Sequence, residues 1–101
     1  MTLHVLTLFP GMFGGFLEET MMKRGTDAGI IRVNLVDIRE YATDKHKTTD
    51  DTPYGGGPGM VMKIEPFFRA LKSLKIGKRD RVILLSAKGR KFTQRDAIRL
   101  A

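Results

Sequence analysis

The residues with the most chemistry in this 101-residue sequence lie between Asp44 and Met60, DKHKTTDDTPYGGGPGM. The stretch has neither helical nor strand periodicity. It opens with charge at Asp44, Lys45, His46 and Lys47, passes through Thr48, Thr49, Asp50 and Asp51, and ends in Tyr54, Gly55, Gly56, Gly57, Pro58 and Gly59. Long irregular loops in small domains are uncommon and are usually functional or disordered. Glycines at 55, 56, 57 and 59 permit positive φ and let a ligand approach bare backbone. Consecutive free N–H groups there could face an anion or the edge of a base. The plainer reading is a flexible linker. Against it stand Asp50, Asp51, Tyr54 and Pro58, stiffer and more varied than a Gly/Ser spacer requires.

A second candidate is Ser86-Ala87-Lys88-Gly89-Arg90-Lys91, which joins a hydroxyl, a glycine and three cations just ahead of a helix start. Such a loop could line a pocket for a nucleotide-like ligand or a phosphate. An ordinary strand-to-helix turn is the alternative. Standard phosphate motifs fail. No G-x-x-x-x-G-K-[ST] occurs, and Gly57-Pro58-Gly59 is followed by Met60-Val61-Met62, so G-x-G-x-x-G lacks its last glycine. ATP hydrolysis and dinucleotide-dependent dehydrogenation are therefore unsupported. His46 with Asp44, Asp50 and Asp51 is a weak metal set, and ordinary salt bridges explain it better. Ser86 lacks the G-x-S-x-G turn of a hydrolase nucleophile.

Composition narrows the classes further. Lys and Arg number 18 against 11 Asp and Glu, a formal charge of +7. A basic surface favours an acidic partner such as nucleic acid through counterion release. With no cysteine, disulfides, thiolate catalysis and Cys-based zinc sites are excluded. The apolar run Leu3–Phe9 is too short to span a bilayer and lacks a basic region ahead of it.

These candidates must be positioned by regular elements. Leu3–Phe9 reads as a buried strand stopped by Pro10-Gly11. Phe13, Phe16, Leu17 and Met21 recur at helical spacing and predict a helix whose apolar stripe faces the sheet, closed by Asp27-Ala28-Gly29 with Gly29 at C′. Ile30–Val36 is a second strand, its alternation of Ile31, Val33 and Leu35 with Arg32 and Asn34 leaving one face less buried. Asp37 caps a short turn. Ile64-Glu65-Pro66 starts a helix carrying Phe67, Ala70, Leu71 and Leu74. Val82–Leu85 reads as a third, fully covered parallel strand. Thr93 with Asp96 marks a capping-box-like helix start. The order implies an α/β fold, a parallel sheet with flanking helices. Ligands of such sheets sit outside the carboxyl ends of the strands. The narrow sheet and a last helix without a stop signal suggest the front part of a larger domain.

Four segments carry a resemblance. They are Leu8–Phe13 (LFPGMF), Arg39–Thr48 (REYATDKHKT), Asp50–Met60 (DDTPYGGGPGM) and Leu85–Arg90 (LSAKGR). Together they resemble the bacterial tRNA (guanine-N1)-methyltransferases, the TrmD family of the SPOUT class. The resemblance implies an α/β domain with a trefoil knot, most of it beyond residue 101, in a cytoplasmic homodimer. Residues 1–101 would be a truncated N-terminal portion of the methyltransferase domain, without the C-terminal tRNA-binding domain. The implied reaction moves a methyl group from S-adenosylmethionine to N1 of the guanine 3′ of the anticodon in tRNA. Asp50, Tyr54, Gly55, Gly56, Gly57, Pro58 and Gly59 would form the target-guanine side. Leu84, Leu85, Ser86, Ala87 and Gly89 would border the cofactor, with Ala87 standing where the family usually has proline. Mg2+ dependence is a family trait for which this sequence offers no assignable ligand. The general base is expected beyond residue 101, so this chain alone is expected to be inactive. The rival reading is a non-catalytic RNA-binding module that keeps the basic surface and the glycine loop.

Overall fold

A computed structural model of the chain describes residues 1–44, 46, 49–51 and 61–101. Two parallel strands lead it: β1 (Thr2–Thr7) and β2 (Arg32–Asp37), paired from Thr2 with Arg32 through Thr7 with Asp37. The register puts Thr2, His4 and Leu6 on one face with Arg32, Asn34 and Val36, because side chains alternate along a strand. The expected alternation holds in β2, where Arg32 and Asn34 are exposed while Val33 and Leu35 are half-buried and Val36 is buried.

The crossover between these strands departs from the single helix its spacing predicts. A 3-10 turn (Pro10–Phe13) runs into α1 (Gly14–Leu17), and α2 (Thr20–Asp27) begins anew after Glu19 turns extended at φ −108° and ψ 146°. Thr20 sits at φ 44°. Neither glycine nor proline marks this break, so the residue pattern gives no warning of it. Its consequence is that Phe16 and Met21 do not reach the sheet and are 61% and 81% exposed. The helix end, by contrast, follows expectation. Gly29 takes φ +73°, its N–H donates to Thr26 C=O, and Ile30 N–H donates to Gly25 C=O. That pair of bonds is a Schellman motif, and glycine occupies the left-handed position it needs.

After β2, Asp37 Oδ1 accepts Arg39 N–H at 2.9 Å and opens a 3-10 turn (Ile38–Tyr41). Helix α3 (Ile64–Ser73) packs on that turn. Ile38, Ala42 and Ala70 are buried there, with Ala70 wholly inaccessible. Tyr41 Oη and Ser73 Oγ lie 2.9 Å apart across the same contact. A small antiparallel pair, β3 (Asp50–Asp51) with β4 (Val61–Met62), lies between. No helix among the described residues is long and apolar enough to cross a membrane.

The expected third strand is corrected. Val82–Leu85 forms no ladder and makes no backbone hydrogen bond among the described residues. Its side chains are 59–89% exposed. A continuous apolar run signals a strand only where a neighbouring strand supplies hydrogen bonds and cover, and neither lies beside it here. Beyond it, α4 (Gln94–Leu100) starts at the expected capping box. Asp96 accepts the Thr93 N–H at 2.9 Å and hydroxyl at 3.0 Å, and also the Arg90 guanidinium, Nη1 at 2.9 Å.

Two predictions follow from packing. The Thr49 hydroxyl is fully buried without a hydrogen-bond partner among the described residues, a state that costs about 1–3 kcal/mol. Thr49→Val keeps the shape and removes the unmet group, so it should raise the melting temperature by a few degrees. A lower value would show that the hydroxyl is satisfied in solution. The second concerns acid. Arg90 first, then the Thr93 N–H, holds the Asp96 carboxyl well below the usual carboxylate range. A depressed folded value means that its stabilisation of α4 is present above the unfolded value of about 3.9. It is lost as pH falls from there through the folded value. Titration followed by the Asp96 carboxyl carbon shift should show no transition near pH 4 in the folded protein. A normal aspartate transition would refute the network.

Candidate functional site

The glycine-rich stretch is approached from both sides by described structure. Asp50 pairs with Met62 and Asp51 with Val61. Lys63 N–H donates to Thr49 C=O at 2.6 Å and prolongs the ladder by one step. The two ends of segment 52–60 are thereby brought side by side. On the near side the chain is tied down by the Ile38–Tyr41 turn, on the far side by α3, and these two pack on each other. Asp50 stands exposed at the mouth of this clamp. Tyr54, Gly55, Gly56, Gly57, Pro58 and Gly59 lie outside the described residues.

The carboxyl ends of β1 and β2 are joined by Arg39. Its Nε donates to Leu8 C=O at 3.4 Å and its guanidinium lies 5.7 Å from the Phe9 ring centroid. Cation–π contacts of this kind operate within about 6 Å. Thr7 Oγ1 accepts the Phe9 N–H at 3.0 Å and bends the chain out of β1. Arg39 thus fixes the Leu8–Phe9 exit against the turn that leads to the clamp. Residue types alone did not single it out. The available signal was an arginine two positions after a capping aspartate, too common to be specific.

The second candidate segment forms a tight turn. Gly89 N–H donates to Ser86 C=O at 3.0 Å and Lys88 N–H donates to Ser86 Oγ at 3.2 Å. A side chain at 89 would place its Cβ 3.1 Å from the Ser86 carbonyl oxygen, so glycine suits the close approach. Leu84 and Leu85 are 78% and 89% exposed, and Ser86 and Ala87 are exposed beside them. The three cations expected to face a phosphate divide. Arg90 is spent on Asp96, a residue missed as its partner, while Lys88 and Lys91 are exposed. Nothing among the described contacts joins this turn to the Asp50 clamp.

Two other features carry less. Among the described residues no group of three or more His, Asp and Glu could hold a metal ion. A polar depression of about 460 Å³ is lined by Thr2, His4, Arg32, Val33 and Asn34, with Asn34 Nδ2 3.0 Å from His4 Nδ1. It lies at the amino ends of β1 and β2, away from the carboxyl ends where ligands of open α/β sheets bind.

The family model described as tRNA (Guanine-1)-methyltransferase TrmD matches residues 1–101. A tRNA (guanine-N(1)-)-methyltransferase of Geobacillus kaustophilus is 47% identical over 102 residues, covering all of this chain and 42% of that protein. The relative from Thermomicrobium roseum is 48% identical over 104 residues, covering all of this chain and 38% of that protein. A crystal structure of a tRNA methyltransferase from Aquifex aeolicus superposes with a TM-score of 0.67 at 35% identity, over 73% of this chain and 33% of that one. The chain therefore spans about two fifths of the length of these relatives. Its mixed α/β fold and the match along its whole length make it a member of the TrmD family of tRNA (guanine-N1)-methyltransferases.

Proposed function

We propose that this chain is the N-terminal portion of a SPOUT methyltransferase domain. The native protein carrying it would transfer a methyl group from S-adenosylmethionine to N1 of the guanine 3′ of the tRNA anticodon. The observation that carries the reading is the family match over residues 1–101 with the DDTPYGGGPGM stretch intact. The proposal extends to a cytoplasmic homodimer with a trefoil knot. It leaves residues 1–101 by themselves without methyl-transfer activity.

The chemistry suits the clamp. N1 of guanine carries a proton, so its methylation needs a base, and charge develops at O6 as the bond forms. Backbone N–H groups of a glycine run are suited to meet that charge, because nothing at Cα keeps the base away. Asp50 at the mouth would orient the guanine, and Tyr54 would border it. The cofactor would supply an electrophilic methyl group when bound. Leu84, Leu85, Ser86, Ala87 and Gly89 fit one side of such a molecule. The exposed leucines offer apolar surface to an adenine ring, and the backbone of Val82–Leu85 has hydrogen-bonding groups to spare. Mg2+ dependence stays without a ligand set among the described residues.

Methyl transfer to a tRNA transcript by the native gene product, dependent on S-adenosylmethionine, is the direct test. Salt-sensitive tRNA binding with no binding of S-adenosylmethionine would instead make the protein an RNA-binding module. In the native protein Gly57→Val should lower kcat/KM on the order of 100-fold, the scale of losing one preorganised donor. Its melting temperature should change little. Parallel losses of activity and melting temperature would make the glycine stretch structural.

A further inference from the structure

Charge is divided unevenly along the chain. Residues 63–101 hold twelve of the eighteen Lys and Arg but three of the eleven Asp and Glu, a net +9, while residues 1–62 stand at −2. Such an asymmetry points to a localised polyanion contact. The densest part is α3 and the turn after it. Helix α3 buries Pro66 and Ala70 and half-buries Phe67, Leu71 and Leu74. Lys72 is exposed on the opposite side, and Arg69, one turn and about 4.5 Å before it along the axis, is exposed at the flank, where its Nη1 donates to Tyr41 C=O at 3.5 Å.

The helix then ends at its cap Leu74, and Lys75 takes the next position at φ 50°. Glycine normally occupies this left-handed place. A lysine held there keeps a cation beside Lys72 at the expense of backbone ease, and an observed outlier of this kind is a pointer to use. Lys78 and Arg79 follow in the turn. Asp80 forms no ion pair with them among the described residues, and its Oδ2 accepts the Gly77 N–H at 2.7 Å. Glu65 lies on the same face of α3 one turn before Arg69, without forming an ion pair. Among the described residues the ion pairs are Lys23–Asp27, Arg90–Asp96 and Arg99–Asp96. None involves Arg69, Lys72, Lys75, Lys78 or Arg79.

We propose that Arg69, Lys72, Lys75, Lys78 and Arg79 form a contact surface for the phosphate backbone of RNA, separate from the glycine stretch. The surface contributes affinity and orientation, and no base identity. It rests on the reading above, in which tRNA is the substrate. RNA is favoured over a membrane because the side of α3 that carries Pro66, Phe67, Ala70 and Leu71 is packed on the Ile38–Tyr41 turn, which leaves only Ile64 and Phe68 of the helix's large apolar residues exposed. A helix lying in a lipid interface would need that side free.

The test uses the native full-length protein and an unmodified tRNA transcript, with Kd measured across salt concentration. Each phosphate contact removed lowers the log–log salt slope by about one. The triple variant Lys72→Gln, Lys75→Gln, Lys78→Gln should therefore lose about three from the slope, with S-adenosylmethionine affinity unchanged. Lys75→Gly should lose about one while its melting temperature holds or rises, a combination that a purely helix-capping lysine would not give. An unchanged slope in the triple variant, with wild-type binding intact, overturns the surface alone. A loss seen on anionic vesicles and not on tRNA overturns it in favour of a lipid partner. Wild-type protein that fails to bind tRNA removes the parent reading, and the proposed partner with it.

Discussion

The packing of α3 on the Ile38–Tyr41 turn is the contact on which the rest of the arrangement depends. These two elements flank residues 42–63, which include the glycine-rich stretch. Bringing the ends of such a loop together costs chain entropy, which grows slowly with loop length. Burial of Ile38, Ala42 and Ala70 offsets that cost, helped by the Tyr41–Ser73 hydroxyl contact. Only with the two sides held can the two-residue ladder of Asp50–Asp51 with Val61–Met62 form, since an isolated pair of that length is not stable by itself. Asp50 owes its place at the mouth of the glycine stretch to this contact.

The other half of the fold is held more loosely to the site. The parallel ladder of β1 and β2 delivers two chain exits to the same end, and Arg39 ties one exit to the turn that begins the clamp. At the far end, Asp96 gathers Arg90, Thr93 and Arg99 into one network and so anchors the turn after Ser86 to α4. Leu84 and Leu85 remain open beside it. An exposed apolar pair is costly to leave in water, and the proposed cofactor surface gives it a use.

Charge follows a different logic from packing. Eight of the eleven Asp and Glu lie in residues 1–62, and twelve of the eighteen Lys and Arg in residues 63–101, which begin with α3. A carboxylate and a cationic phosphate-binding face would pair with and neutralise each other if mixed. Segregation along the chain keeps Asp50 and the basic side of α3 on different elements.

Much was determined by the residues themselves. The stop at Pro10-Gly11, the Schellman end at Gly29, the cap at Asp37 and the box at Thr93–Asp96 are local, and each depends on a few neighbouring side chains and backbone groups. The DDTPYGGGPGM stretch was legible for the same reason, since its chemistry is written in consecutive residues. What the tertiary structure alone decided is relational. Val82–Leu85 has a strand's composition, yet it is no strand among the described residues because a ladder needs a second segment. Phe16 and Met21 have a core stripe's spacing, yet a break at Glu19 turns them to solvent. Arg39 looks like any other surface cation, and only a contact 31 residues back along the chain spends it on Leu8, with Phe9 beside it. Local rules fix conformations over a few residues, whereas burial and pairing depend on partners that no short window of sequence contains.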